Sequence, residues 1–429
     1  MLTNILITIA LLLITAFVLS RIFTLPRNIW LLFISQPFVM SAPPIIVFIG
    51  GILSSKMASD PSLATLPITL MILGVAAGSI PAAMLAKNKG RKFAVYTGLS
   101  CSLIATIIAI SSAKLALFEL FCFASMLIGV GGAFTQQLRF AAIESSLNKE
   151  DVPKILSILM LSGVFAAFLG PEVAVVGKDW LSSPHGYAGS FLLLAAMIVC
   201  SMLMMSAFKN PPVNENETSG EPRDLKVIAK QPIFLIAVCT ATIGFALMSY
   251  LMTATPISMH HMQGHSLQET KWVIQSHIAA MYIPSLFTPW LVKYLKLKGL
   301  MLIGTLIYAV VALIALSGHE VMHYWWALIL LGIGWNFLFL TGTSLLPESY
   351  HASERHKVQA SNDFVLFGFQ AAASLLAGWV LFNVGWHWVV ITSLPFILVL
   401  FIVVGFYHKH QKKVNSQIIK TIINEKQRQ

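Results

Sequence analysis

Residues 210–222 read Asn-Pro-Pro-Val-Asn-Glu-Asn-Glu-Thr-Ser-Gly-Glu-Pro, a polar stretch at the midpoint of a 429-residue chain that is 57% hydrophobic and only 10% charged. A soluble domain carries about 25% charged residues. Six long apolar runs precede the stretch and six follow it, and each can cross about 30 Å of hydrocarbon as a helix. We therefore predict an all-α polytopic membrane protein, because a backbone in lipid must satisfy its own hydrogen bonds.

The two sets of six spans are expected to form two bundles. Leu127-Ile-Gly-Val-Gly131 recurs as Leu330-Leu-Gly-Ile-Gly334 at an offset of 203 residues. A repeat around a central linker is typical of two-bundle transporters. The predicted spans are 28–54, 65–87, 92–113, 115–142, 152–177, 187–208, 233–257, 268–295, 299–317, 321–346, 357–384 and 386–408. The predicted units are an apolar N-terminal helix with a basic flank (1–27), a first bundle (28–208), a cytoplasmic linker (209–231), a second bundle (232–408) and a basic tail (409–429).

Residues 2–20 within the first of these units are apolar and just long enough to span. No basic residues precede them, and Arg21 and Arg27 follow. This pattern argues against a cleaved signal peptide. The segment is either a thirteenth span or a helix lying along the membrane surface, and we favour the span.

Lys and Arg residues are distributed unevenly between the two sides of the predicted bundles. If the span at 28–54 begins in the cytoplasm, 24 of the 28 Lys and Arg residues lie on the cytoplasmic side and four on the other. Cytoplasmic loops of membrane proteins carry such an excess. It predicts a cytoplasmic C-terminus, and it explains the formal charge of +11 without nucleic-acid binding. The four cysteines lie in apolar runs and give neither a disulfide framework nor a metal-binding spacing.

The loop between the second and third predicted spans carries a recognisable motif. It reads Ala83-Met-Leu-Ala-Lys-Asn-Lys-Gly90-Arg91-Lys92. This resembles the loop signature of the major facilitator superfamily, which is close to Gly-x-Leu-Ala-Asp-Arg-x-Gly-Arg-Arg. Gly90 and Arg91 match it, whereas Lys87 stands in the place of the acidic residue. Gly170-Pro171 in the fifth span also resembles the Gly/Pro-rich motif of drug antiporters, although the later glycine pair is missing.

Three further stretches resemble a bacterial subgroup described as riboflavin-transporter-like. They are Thr24-Leu-Pro-Arg-Asn-Ile-Trp30 running on to Ser41-Ala-Pro-Pro44, then Trp335-Asn-Phe-Leu-Phe339, and Gln359-Ala-Ser-Asn-Asp-Phe364. The resemblance implies a monomeric secondary transporter in the bacterial inner membrane, without a cofactor, that imports a riboflavin-like aromatic solute by alternating access. Alternatives are uptake of an anionic siderophore or polycarboxylate, multidrug or metabolite efflux by proton antiport, and a non-transporting receptor. We find no nucleotide loop and no catalytic unit, so an enzyme is disfavoured.

In this superfamily the first, fourth, seventh and tenth spans line the central cavity. The polar and aromatic residues on those spans suit a flat molecule held by stacking and hydrogen bonds. Alternatively, the polar side chains only bridge neighbouring helices. The predicted substrate-binding residues are Gln36, Ser41, Gln136, Gln137, Tyr250, Trp335 and Asn336.

Ionisable residues inside or near the spans are candidates for gating or for coupling to protons. Glu172, beside Gly170-Pro171, is the first choice for proton exchange, since a buried carboxyl group holds its proton more tightly; the alternative is a carboxylate wetted at the outer surface. His277 is either a proton relay or a packing residue. Arg139 and Asp363 are expected to form a cytoplasmic gate pair; alternatively, Arg139 binds an anionic substrate or extends to the interface. The full set is Lys87, Gly90, Arg91, Arg139, Glu144, Glu172, His277 and Asp363.

Histidines concentrate on the predicted outer face, notably in His260-His-Met-Gln-Gly-His265. Adjacent histidines suggest a metal site, but no Cys or carboxylate completes a ligand set. We therefore favour a hydrated or pH-sensitive loop.

Overall fold

The computed structural model describes residues 2–136, 138–145, 151–210 and 223–426. The described part is helical and contains no strand. Its α-helices are α1 (Leu2–Ile22), α2 (Arg27–Met40), α3 (Ala42–Met57), α4 (Leu66–Lys89), α5 (Arg91–Leu115), α6 (Phe118–Thr135), α7 (Leu138–Glu144), α8 (Val152–Val176), α9 (Ala188–Ser206), α10 (Leu225–Ala229), α11 (Pro232–Pro256), α12 (Leu267–Tyr282), α13 (Thr288–Ser317), α14 (Val321–Leu345), α15 (Arg355–Val384), α16 (Trp386–Ile391) and α17 (Leu394–Lys426).

Twelve helices of this described part are long and apolar enough to cross a membrane. The prediction of an all-α polytopic fold is therefore confirmed. One of the twelve is α1, whose 21 residues extend about 32 Å at 1.5 Å per residue. It packs against α2 and α8. The last span continues beyond its predicted end at residue 408, because α17 runs to Lys426.

The predicted eighth span, 268–295, is divided in the structure. Its first part, α12, ends at Tyr282 after 16 residues. A short 3₁₀ turn, Ile283–Phe287, follows, and α13 begins at Thr288. The predicted boundary with the ninth span coincides with Lys296, where a φ of 55° interrupts the helical geometry of α13. The 3₁₀ turn contains Pro284, whose missing N–H interrupts a helix. The short, polar α12 is not one of the twelve apolar helices.

The predicted first and fourth spans each consist of two helices. In the first, Ser41 separates α2 from α3 but keeps helical dihedral angles, with a φ of −73° and a ψ of −18°. Its hydroxyl donates to the carbonyl of Pro37 at 2.7 Å. Pro43 and Pro44 lie in the first turn of α3, where a missing N–H is tolerated. The pair of prolines therefore produces a kink, not an unwound segment.

Small residues bring neighbouring helices close together within each half of the chain. A Cβ at Gly129 of α6 would overlap the carbonyl oxygen of Met71 in α4. In the second half, a Cβ at Gly332 of α14 would lie 2.7 Å from the carbonyl oxygen of His277 in α12. Such contacts are typical of membrane helices, where small residues allow backbones to approach.

The two halves touch near one end of the spans. We call the side with Gly90, Lys209 and the C-terminal helix end the basic face, and the other side the opposite face. Near the opposite face, Ile257 packs against Gly51 of α3, where a Cβ would lie 2.8 Å from its side chain. The Thr65 hydroxyl also donates a long hydrogen bond to the Leu375 carbonyl oxygen in α15, with an oxygen-to-oxygen distance of 3.4 Å.

The predicted linker, 209–231, falls partly on residues 211–222, which lie outside the described residues. Immediately after them, Arg223 forms a two-pronged contact with Glu354, with Nε to Oε1 and Nη2 to Oε2 both at 2.7 Å. The Glu354 side chain is fully buried. Hydrogen bonds from Arg223 hold the pKa of Glu354 well below its usual range. The end of the linker is thereby fixed to the loop between α14 and α15.

Candidate functional site

Four aromatic side chains from three helices pack together in the second half of the chain. Trp335 and Phe339 of α14 stack with ring centroids 5.1 Å apart. Phe245 of α11 contacts Trp335 edge-on at 5.2 Å, and Phe367 of α15 lies 6.4 Å from Phe245. We call Phe245, Trp335, Phe339 and Phe367 the aromatic cluster. It brings Trp335 together with two rings that the sequence did not assign to the site, Phe245 and Phe367.

The aromatic cluster lies on the side of α14 that faces away from α13. Gly334 packs on Tyr308 of α13, where a Cβ would lie 2.7 Å from the tyrosine ring. Consecutive residues of a helix point about 100° apart, whereas residues four apart share a face. Trp335 and Phe339 therefore point away from α13 and toward α11. The cluster is therefore formed by α11, α14 and α15 of the second half.

Five buried polar atoms on α2, α11, α14 and α15 have no hydrogen-bond partner among the described residues. They are Oε1 of Gln36, Oγ1 of Thr242, Nε1 of Trp335, Oδ1 of Asn336 and Oε1 of Gln370. An unsatisfied buried group costs about 1–3 kcal/mol, so each of these atoms would gain from a hydrogen-bond partner. Gln370 lies one turn beyond Phe367 and was missed, although an amide in the middle of an apolar span was a usable signal.

Three predicted substrate-binding residues use their polar groups within their own half of the chain. The Asn336 amide donates to the Met281 carbonyl at 2.8 Å and to the Ser285 hydroxyl at 2.6 Å, but its Oδ1 has no partner among described residues. The Tyr250 hydroxyl lies 2.8 Å from that of Thr392. Ser41 bonds its own helix, as described above. The contacts of Asn336 and Tyr250 bridge helices, the alternative considered from the sequence, whereas that of Ser41 stays within its own span.

The remaining candidates lie toward the basic face. Gln136 is exposed where α6 ends. Arg139 of α7 is accessible to solvent although many protein atoms surround it, and it interacts electrostatically with Asp363. Gln137 lies outside the described residues, as do the side chains of Lys87 and Glu144.

Glu172 forms an ion pair that the sequence did not predict. Its Oε2 lies 2.6 Å from Nζ of Lys271, and the two side chains are only 6% and 9% exposed. Glu172 belongs to α8 and Lys271 to α12, so the pair joins the two halves near the opposite face. Asn4 of α1 donates to Oε1 of the same carboxylate at 3.1 Å. Polar residues at 268, 271 and 275 recur with helical spacing, a signal that would have pointed to Lys271.

The loop signature holds α4, α5 and the end of α9 together. Gly90 has a φ of 85° and a ψ of 160°, a conformation that is essentially restricted to glycine. The Asn210 side chain lies directly against Gly90 and accepts a hydrogen bond from the Lys92 backbone at 2.8 Å. Arg91 begins α5. The match to the signature therefore corresponds to a tight turn between two helices.

His277 is fully buried and bridges α12 to α14. Its Nδ1 lies 2.7 Å from the carbonyl oxygen of Leu328, and its Nε2 has no partner among the described residues. This contact corresponds to the packing interpretation.

Histidines of the opposite face also come together. The rings of His319 and His387 are 5.1 Å apart, and Nε2 of His265 lies 2.7 Å from the carbonyl of His319. Burial, followed by the neighbouring histidines, lowers the pKa of His319. No group of three or more His, Cys, Asp or Glu residues in the described ranges is arranged to hold a metal ion.

These features define a polytopic helical membrane protein built of two halves that contact each other near the opposite face. The family model for the Major Facilitator Superfamily matches residues 29–367 and 256–422. The chain belongs to the major facilitator superfamily, and it is a transporter, not an enzyme.

Relatives of the chain are consistent with this family. It is 35% identical over 378 residues to the riboflavin transporter RfnT of Brucella anthropi, covering 87% of this chain and 94% of that protein. It is 28% identical to the uncharacterized MFS-type transporter YddS of Bacillus subtilis, covering 86% and 88%. The crystal structure of the human organic anion transporter MFSD10 (TETRAN) superposes with a TM-score of 0.63 at 10% identity, covering 88% of this chain and all of that one. This last likeness concerns the fold alone.

Proposed function

We propose that this transporter imports riboflavin, or a closely related flavin, across the inner membrane of a bacterium by alternating access of two bundles, 28–208 and 232–408. The observation that carries the proposal is the 35% identity to a protein named as a riboflavin transporter, which extends over 87% of the chain. The resemblance of the sequence to the riboflavin-transporter-like subgroup rested on three short stretches. The identity to the Brucella anthropi transporter extends over nearly every span.

The chemistry of the aromatic cluster supports a flat heteroaromatic substrate. Aromatic rings prefer offset-stacked and edge-to-face contacts with other rings. A flavin ring offers apolar faces to Trp335 and Phe339, and its polar edge carries both hydrogen-bond donors and acceptors. Nε1 of Trp335 is a donor, and Oε1 of Gln36 and of Gln370 are acceptors, all three without partners in the described part. Such a mixture suits an edge of this kind.

Charge argues for a neutral substrate over a siderophore or polycarboxylate. The aromatic cluster carries no charged side chain. Arg139, the residue considered as an anion anchor, interacts with Asp363, which already offsets part of its charge. A polyanion would have to displace or tolerate that carboxylate.

We assign the basic face to the cytoplasm on the positive-inside rule. The contact of Gly51 with Ile257 on the outer side, and the exposure of Arg139 on the cytoplasmic side, support a state that is closed toward the outside. Opening to the outside requires the contact between Glu172 and Lys271 to separate. We therefore propose this pair, which we call the ion-pair latch, as the outer gate and Glu172 as the group through which protons influence transport.

The proposal is tested by expressing the chain in a bacterium that cannot make riboflavin and measuring uptake of labelled riboflavin. We expect saturable uptake. Trp335→Ala should raise the apparent KM about tenfold or more, since about 1.4 kcal/mol of lost binding corresponds to a factor of ten. Asn336→Ala should also impair uptake, because it frees α14 from α12. The matched control is Trp379→Ala on α15, an exposed tryptophan outside the cluster. No uptake by protein that is correctly inserted in the membrane would refute the substrate assignment.

A further inference from the structure

The N-terminal helix α1 precedes the two bundles, yet it contacts the ion-pair latch directly. Asn4 Nδ2 donates to Glu172 Oε1 at 3.1 Å, while Lys271 Nζ contacts Glu172 Oε2 at 2.6 Å. Each oxygen of one carboxylate is thus bound by a different helix. The three helices α1, α8 and α12 meet at this single buried group.

A cavity of about 340 Å³ lies beside the latch. Its walls come from the same three helices, and six of its eight lining residues carry polar side chains. The lining residues that matter here are Asn4, Thr8, Glu172, Gln268, Lys271 and Gln275. Much of α1 beyond this contact presents exposed apolar side chains such as Leu6 and Phe17. The polar contact of α1 with the bundles is therefore local, and it is made at the latch.

We propose that Asn4 is a positioning residue for the ion-pair latch, so that α1 sets how readily the transporter opens to the outside. This inference rests on the proposed function, in which separation of Glu172 from Lys271 opens the outer gate. A carboxylate can rotate about its terminal bond, and a donor on one oxygen restricts that rotation. With Asn4 in place, Oε2 stays directed at Lys271.

The test follows the accessibility of one side chain in the outer contact. Ile257 is fully buried beside Gly51, so a cysteine there is protected while the outer gate is closed. Ile257→Cys is introduced after Cys101, Cys122, Cys200 and Cys239 are replaced by alanine. The rate of labelling by a membrane-impermeant maleimide is then measured on intact cells, together with the amount of protein in the membrane.

We expect Asn4→Leu to increase the labelling rate about tenfold. Asn4→Asp, nearly isosteric but unable to donate and charged like Glu172, should increase it at least as much. The matched control is Thr8→Val, since Thr8 lines the same cavity one turn away but donates to the Asn4 carbonyl of its own helix. It should label at the rate of the parent protein.

The decisive comparison repeats Asn4→Leu in a Glu172→Gln background. If Asn4 acts only through the latch, Asn4→Leu does not increase the labelling rate once the Glu172 carboxylate is gone. If Asn4 merely supports the fold, Asn4→Leu increases the labelling rate in both backgrounds. An equal increase in both backgrounds, or no increase with Glu172 present, overturns the role of Asn4.

A wrong assignment of the latch as the outer gate can be distinguished from a wrong assignment of the substrate. If Glu172→Gln does not increase labelling, the outer gate is wrong and the inference about Asn4 is overturned with it. Riboflavin uptake by the wild-type protein is measured in the same cells, so a wrong substrate assignment is recognised separately.

Discussion

Lys271 Nζ lies 2.6 Å from Glu172 Oε2, and the pair is almost completely buried between the two halves of the chain. Removing two charges from water is costly, and their mutual attraction offsets that cost only when both are present. A buried pair therefore gives little net stability but penalises the loss of one partner. That property suits a gate, because the two charges must be rehydrated when the halves separate.

The first prediction concerns the cost of leaving one charge of this pair alone. Lys271→Met should lower the free energy of unfolding by about 3–5 kcal/mol, because Glu172 then stays buried without a counter-ion. Adding Glu172→Leu should recover most of that loss. Thermal unfolding of detergent-purified protein measures both. Lys154→Met is the control, since Lys154 pairs with Asp151 at an exposed site, where a pair contributes about 0–1 kcal/mol. If Lys271→Met is no less stable than Lys154→Met, the prediction that Glu172 is left buried without a counter-ion is wrong.

The second prediction concerns the turn at Gly90. Gly90→Ala should destabilise the protein by about 1–3 kcal/mol, because its φ of 85° is unfavourable for a residue with a Cβ. The added Cβ would also lie 2.7 Å from the Asn210 side chain. Gly405→Ala is the matched control. It lies within α17, where a Cβ would meet nothing within 4 Å, so stability should stay the same or rise. Equal melting temperatures for the two variants would contradict the strained turn.

The fold was largely predictable from the sequence because its signals are strong and repeated. Apolar runs of membrane length and the loop motif can both be recognised without knowing how the side chains pack against one another. The predicted eighth span begins and ends close to Leu267 and Lys296, as in the structure, but the turn at Ile283–Phe287 was not anticipated. Gln268, Lys271 and Gln275 lower the hydropathy of α12, and what they contact is visible only when Glu172 of α8 and the cavity beside α1 are in place.

The candidate site was harder to predict because helix rotation decides which side chains face the other half. Trp335 and Tyr250 both lie on spans that line the central cavity in the superfamily. In the structure, Trp335 contacts Phe245, whereas Tyr250 points toward Thr392 beside α17. An uncertainty of one residue in a helix rotates a side chain by about 100°. Contacts between distant residues, such as that of Asn4 with Glu172, leave no local pattern in a single sequence.

The third prediction exchanges the charges of Arg139 and Asp363. These residues interact electrostatically near the basic face. Arg139→Asp or Asp363→Arg alone should each reduce uptake of the transported solute strongly, because like charges then face each other. The combined exchange should restore at least part of the lost uptake. If the double variant transports no better than either single one, the two residues do not act as a gate pair.

The fourth prediction is a pH-dependent contribution of Glu354 to stability. Arg223 holds the pKa of Glu354 below its ordinary value of 4.5 in the folded protein. A carboxyl group with a lowered pKa stabilises the fold at pH values above the unfolded pKa, and this contribution is lost as the pH falls through the window below it. Glu354→Gln should therefore melt at a lower temperature than the wild-type protein at about pH 7. The difference should shrink as the pH is lowered from about 5 to about 3.

Melting curves of the detergent-purified protein across this pH range test the fourth prediction, with Glu320→Gln as the control. Glu320 is an exposed carboxylate at the start of α14, so its removal should leave the melting temperature close to that of the wild-type protein at every pH. The predicted dependence arises because Glu354 is buried and accepts hydrogen bonds from Arg223 and from the backbone of His351. A difference that stays constant down to about pH 3 would mean that the carboxylate charge is not what holds the end of the linker.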